Sequence, residues 1–135
     1  MKEQTPKIEF INVDLDLESK TPFDNLVKVF EKSEIVLHYE GSKRKCWFAR
    51  IEVSFSPRKP ETAVLHLCRL VKNLSGIELQ EWNSCYMREF NLGYHCGEKP
   101  WAYPSALSKN AVLLMSQVQA SLAITLYPPD RSEGP

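Results

Sequence analysis

The sequence predicts an α+β fold, a mixed, largely antiparallel five-stranded sheet with helices on one face. Two observations carry that expectation. Several segments alternate apolar and polar residues with the period of two of a half-buried strand, while others repeat apolar residues at the i, i+3, i+4, i+7 spacing of an amphipathic helix. The strand alternation is also clean. Strands covered on both sides would be apolar throughout, so one side of the sheet is expected to face solvent.

In residues 7–17, Ile11, Val13, Leu15 and Leu17 alternate with Asn12, Asp14 and Asp16, which reads as the first strand. Thr21 as N-cap, Pro22 at the first helical position and Asp24 three residues after the cap then open a helix over 22–32. Its apolar stripe is Phe23, Leu26, Val27 and Phe30. Residues 35–39 make a short strand, and a basic turn at Lys43, Arg44 and Lys45 returns the chain as a hairpin. There Trp47, Ala49, Ile51, Val53 and Phe55 alternate with Phe48, Arg50, Glu52 and Ser54.

After a break at SPRKP, one stripe of a second helix is formed by Ala63, Val64, Leu67, Leu70, Val71 and Leu74, with Leu65 on its far side. Ser75 with Glu78 reads as a capping box for a short helical turn through Leu79 and Trp82. The fourth strand places Phe90, Leu92 and Tyr94 on one face and Glu89, Asn91, Gly93 and His95 on the other. GEKPWAYP holds two prolines and two aromatic residues, so it is expected to be a loop that is ordered if Trp101 and Tyr103 pack. Ser108 caps a last helix with Ala111, Leu114, Met115 and Val118 inward, and Leu122, Ile124 and Leu126 define a closing strand stopped by Pro128 and Pro129. The order is β-α-β-β-α-β-α-β with one extra short helix before the fourth strand. Its βαββαβ part is compatible with a ferredoxin-like core extended by one helix and strand. A single domain over 1–135, with 128–135 a frayed tail, is expected.

The 135 residues contain 17 Lys plus Arg and 17 Asp plus Glu, so no global field draws the chain to nucleic acid or to a membrane surface. No apolar run approaches the roughly 18 residues of a membrane helix. The opening MKEQTPKIEF carries charges and a proline where a signal peptide has an apolar core, which points to the cytoplasm. Cys46, Cys68, Cys85 and Cys96 form no CxxC pattern, so reduced, mostly packed thiols and no metal site are expected. Walker, GxGxxG, GxSxG and HExxH motifs are absent, and no cofactor is expected.

Even spacing along the strands sends Asn12, Asp14, Asp16, Arg50, Glu52, Glu89, Asn91, His95, Thr125 and Tyr127 to the uncovered face. With the Trp101 and Tyr103 loop near His95, such a face suits a polar or cationic ligand held by charge-assisted hydrogen bonds and aromatic stacking. A solvated sheet face with cross-strand ion pairs is the plainer explanation. The alternative function is a small hydrolase-type or metal-dependent enzyme centred on Asp14 and Asp16, which share one face of a strand. His95 and Cys96 point to opposite faces, which argues against a Cys–His nucleophile, and His66 reads as a solvated or packing histidine. Leu65 and Leu113, opposite their helices' buried stripes, offer an apolar contact for a homodimer.

REFNLGYHCG (residues 88–97), ASLAITLYPPD (120–130) and INVDLDLES (11–19) together resemble a group of small uncharacterised bacterial α+β proteins. That group shares a strand of the form RxFNxG, then a helix and a closing strand ending in an aromatic residue. Such domains include immunity-like and mobile-gene products, so the resemblance implies partner binding and carries over no catalytic residue. It points to Arg88, Glu89, Phe90, Asn91 and Gly93 as a shared core. Gly93 permits close backbone approach. Arg88, on the Phe90 side, is expected to find a carboxylate or reach solvent. The expected binding residues are therefore Asp14, Asp16, Arg50, Glu52, Arg88, Glu89, Asn91, His95, Trp101 and Tyr103, and the expected ligand is a protein partner or a small molecule.

Overall fold

The strand with the clearest alternation, β1 (Glu9–Ser19), lies at the centre of the sheet in the computed structural model, which describes residues 5–41 and 46–129. It is followed by α1 (Asp24–Glu31), β2 (Ile35–Gly41), β3 (Trp47–Glu52), α2 (Pro60–Lys72), α3 (Gly76–Ser84), β4 (Met87–His95), α4 (Lys109–Gln117) and β5 (Ser121–Tyr127). The strand order is β2-β3-β1-β4-β5. β1 pairs antiparallel with β3 and β4, and β2 pairs antiparallel with β3, which is the strand order of a ferredoxin-like core. α4 then carries the chain back so that β5 adds parallel to β4, making the sheet mixed. The basic turn at 43–45 and the tail beyond 129 lie outside the described residues.

Odd-numbered positions of β1 and β3 and even-numbered positions of β4 enter the core. Val13, Leu15 and Leu17 meet Ala49, Ile51 and Phe90 under a helix layer supplied by Leu26 and Phe30 of α1, Val64 and Leu67 of α2, and Trp82 of α3. Trp82 also donates its indole N–H to the Val118 carbonyl at 3.1 Å, so its one polar atom is satisfied where it is buried.

Several helix and strand ends differ from expectation, and the reason is long-range hydrogen bonding. α1 begins at Asp24, and Thr21 does not cap it. The carboxylate of Glu81 on α3 does so instead, accepting the Leu26 amide at 2.7 Å and the Asn25 side-chain amide at 2.8 Å. Ser75 precedes α3 without a side-chain cap bond, so the expected capping box does not form. Ser108 caps α4 as expected, accepting the Ala111 amide at 3.2 Å. β3 ends at Glu52, and just beyond it the Ser54 amide, of an exposed residue, donates to the buried Glu34 carboxylate at 2.9 Å in place of a strand partner. His66 bonds the other Glu34 oxygen and meets Phe55 edge-on at 5.3 Å, so it is a partnered histidine and not merely a packed one. Leu65 is half-buried against the core, whereas Leu113 is exposed beside Val112. No helix among the described residues is long and apolar enough to cross a membrane.

Candidate functional site

Two rows of cross-strand neighbours assemble the polar face. In one, Asp14 lies between Glu52 of β3 and Asn91 of β4; in the other, Asp16 lies between Arg50 and Glu89. Six of the expected binding residues therefore come together because β1 sits between β3 and β4 in antiparallel register.

Asp16 and Arg50 form a two-pronged ion pair, Nε to Oδ1 at 2.8 Å and Nη2 to Oδ2 at 3.1 Å. The guanidinium also lies over the Phe48 ring, 5.4 Å from its centroid. This hydrogen bond from Arg50 holds its pKa above the ordinary value. Asp16 is thereby held by Arg50, which also stands near Asp14.

Asp14 is in a different state. Its Oδ2 is 3.8 Å from the Arg50 Nε, too long for a hydrogen bond, and its Oδ1 is buried with no hydrogen-bond partner among the described residues. Burial pushes its carboxyl up from 3.8 to about 6; Arg50 opposes the shift, and the charges of Asp16 and Glu52 add to it. The carboxyl partner of Asp14 is thus Glu52, whose other contact is the Asn12 amide at 3.0 Å from Oε2.

Gly93 completes the site by having no side chain. A Cβ there would stand 3.0 Å from Asn12 Oδ1 and 3.5 Å from the Tyr127 ring, so the glycine leaves room for both to close over the sheet. Next to it, Asn91 accepts a hydrogen bond from the Thr125 hydroxyl at 2.8 Å. Asn12, Asp14, Asn91 and Tyr127 are thus near neighbours on a face that also carries Asp16, Glu18, Glu52 and Glu89.

Of the other expected residues, His95 stands at the end of the same face and the rest lie elsewhere. His95 is exposed at the end of β4, beside Tyr127 in the register. Arg88 points to the helix side, and its partners are not carboxylates. It donates to the carbonyls of Trp82 (3.1 Å), Cys85 (2.6 Å) and Gln119 (3.0 Å), closing the ends of α3 and α4. The loop of residues 96–108 also runs on the helix side. Tyr103 packs edge-on against Tyr94 and accepts the Phe10 amide at 3.1 Å, but Trp101 is 98% exposed. Neither aromatic residue joins the polar face.

One feature has no distinct signal in the sequence. Between α4, this loop and β5 lies a groove of about 550 Å³, floored by Leu92, Leu122, Ile124 and Leu126 and walled by Val112 and Leu107. Apolar residues alternate in β5 as they do in β1, and alternation is the same whether or not anything covers it.

Among the described residues no three His, Cys, Asp or Glu side chains converge as a metal-binding set. Burial pushes the Cys68 thiol up to about 11 and the Cys85 thiol up to about 12, which makes both poor nucleophiles. Compared with known proteins, the chain matches no family model, no curated protein and no solved structure.

Proposed function

We propose that the protein is a binding module that captures a cationic group, an ammonium or guanidinium, on the open face of its sheet. The observation that carries this reading is the buried Asp14 oxygen without a partner, in a carboxyl pushed up to about 6. A buried acceptor left unpaired is costly, and a cation seated there supplies the missing hydrogen bond while offsetting the repulsion from Asp16 and Glu52. The Tyr127 ring adds an aromatic wall suited to the same class of ligand. An acidic face also disfavours phosphate-bearing partners such as nucleic acid. The cytoplasm is the compartment that fits, since it keeps the buried Cys68 and Cys85 as thiols.

Titration with arginine methyl ester in a calorimeter tests the proposal. Binding is expected at pH 7 and should weaken about tenfold at pH 5, because protons then compete for Asp14. Asp14→Asn should abolish it. Equal binding by the variant, or none at millimolar ester, would overturn the reading.

The Asp14–Glu52 pair favours a second reading, general acid–base catalysis, because one carboxyl held near neutrality beside another is an arrangement that moves protons. It differs from the expected Asp14–Asp16 centre in that Arg50 has already engaged Asp16.

A further inference from the structure

We infer that β5 is a self-pairing edge through which two copies of this chain join their sheets into one. β5 ends the strand order, and it is built unlike the opposite edge. β2 carries a register irregularity between Val36 and His38 and the polar residues His38 and Glu40, devices that discourage strand addition. β5, SLAITLY, has no charge, proline, glycine or bulge.

The backbone of β5 shows how it would pair. Tyr127 accepts the Cys96 amide at 2.8 Å, so its peptide groups face β4, and the even parallel ladder gives the same orientation to Thr125, Ala123 and Ser121. Leu122, Ile124 and Leu126 therefore turn their N–H and C=O groups outward, away from the sheet. An antiparallel partner must oppose outward-facing residues with outward-facing residues. β5 does this for itself when Ile124 faces Ile124 of the second copy and Leu122 faces Leu126 of the second copy. The intervening positions fit the same register, with Tyr127 against Ser121 and Thr125 against Ala123, a large side chain beside a small one in each case. This self-matching under a two-fold axis favours a second copy over an unrelated strand.

The side chains agree with the backbone. Leu122, Ile124 and Leu126 are 45%, 60% and 64% exposed, and Val112 of α4, also exposed, lines the same groove on the helix side. Together they form an apolar patch on the order of 400 Å². With the paired strand backbones and the flanking Ser121 and Tyr127 added, two copies bury about 1,000 Å², the size at which specific interfaces begin. The seam runs along the sheet edge and leaves Asp14 and its carboxylate neighbours uncovered, while Tyr127 stands at both the seam and the acidic face.

Sedimentation equilibrium on the whole chain, with amide hydrogen exchange at two concentrations, tests the inference. A dimer is expected, with concentration-dependent protection at the amides of Leu122, Ile124 and Leu126. Ile124→Pro removes an N–H that faces away from β4, so the fold should persist while the dissociation constant rises about 100-fold or more. Ile124→Lys should do the same without altering the backbone, and Leu37→Lys on the opposite edge should leave the dimer intact. A chain that stays monomeric at about 100 µM overturns the inference and leaves the edge to a strand of another protein. So does a dimer that both Ile124 variants retain, or one that Leu37→Lys dissolves.

Discussion

β1 and β5 are written in the same pattern and meet opposite fates. Leu15 of β1 has no exposed surface, while Ile124 of β5, equally apolar and also facing the helix side, is 60% exposed. The helices account for the difference. α1, α2 and α3 lie over the ferredoxin-like core strands, whereas α4 packs mainly on α2 and stands away from β5. Alternation therefore reports which way a side chain points and is blind to whether a second layer reaches it.

The largest effect that can test this comparison is a truncation at each site. Leu15→Ala should cost about 3 kcal/mol, the sum of lost burial and an unfilled cavity in the tightest part of the core. Ile124→Ala in dilute, monomeric protein should cost less than about 1 kcal/mol, since most of its surface is already in water. Urea unfolding followed by circular dichroism gives both values. Similar costs at the two positions would mean that β5 is covered in the folded monomer.

A smaller effect, of opposite sign, separates two carboxylates on the same strand. Asp16 has two hydrogen bonds from Arg50, while Asp14 has an orphaned oxygen and a pKa raised from 3.8 to about 6. Between those values the folded state binds more protons than the unfolded state, so stability from Asp14 is fully present below 3.8 and is lost as pH rises through 6. At pH 7 the ionised group is a cost, reduced by residual solvent at its edge. Asp14→Asn should therefore stabilise the free protein by on the order of 1 kcal/mol at pH 7 and remove the loss of stability that Asp14 causes as pH rises from about 4 to 6. Thermal melts from pH 4 to 8 check this. A destabilised variant with an unchanged profile would show that Asp14 is held by a partner, removing the basis for cation capture.

The polar face was legible because parity alone determines it. Asn12, Asp14, Asp16, Arg50, Glu52, Glu89 and Asn91 needed no long-range knowledge beyond strand pairing, and Gly93 was readable as a place where something comes close. Helix ends were less legible. The acid that caps α1 is Glu81, 55 residues from the amide it accepts, and no local pattern announces a cap delivered by another helix. Arg88 shows the same limit. A guanidinium on the core side must find acceptors, but the carbonyls at two helix ends serve as well as a carboxylate, and carbonyls are invisible in a sequence. The loop of residues 96–108 was legible as irregular structure, but which of its rings packs was not: Tyr103 meets Tyr94, while Trp101 is exposed and the backbone holds that part of the loop in place.

The smallest expected effect lies within that loop. Its attachment is through the main chain: the Ile8 amide donates to the Lys99 carbonyl at 2.7 Å and the Glu98 amide to the Pro6 carbonyl at 2.8 Å. The approach is so close that a Cβ on Gly97 would stand 2.5 Å from the Lys7 carbonyl carbon. Trp101 contributes no ring contact to this arrangement and is almost wholly in water. Trp101→Ala should therefore change stability by less than about 0.5 kcal/mol, whereas Gly97→Ala must force two backbone segments apart and should cost at least 1 kcal/mol, roughly. Trp101→Ala should also leave arginine ester binding untouched, because the ring lies on a loop that runs along the helix side of the sheet. If it weakens that binding, the loop must swing to the acidic face when ligand arrives, and the site would then extend beyond the strands that build it.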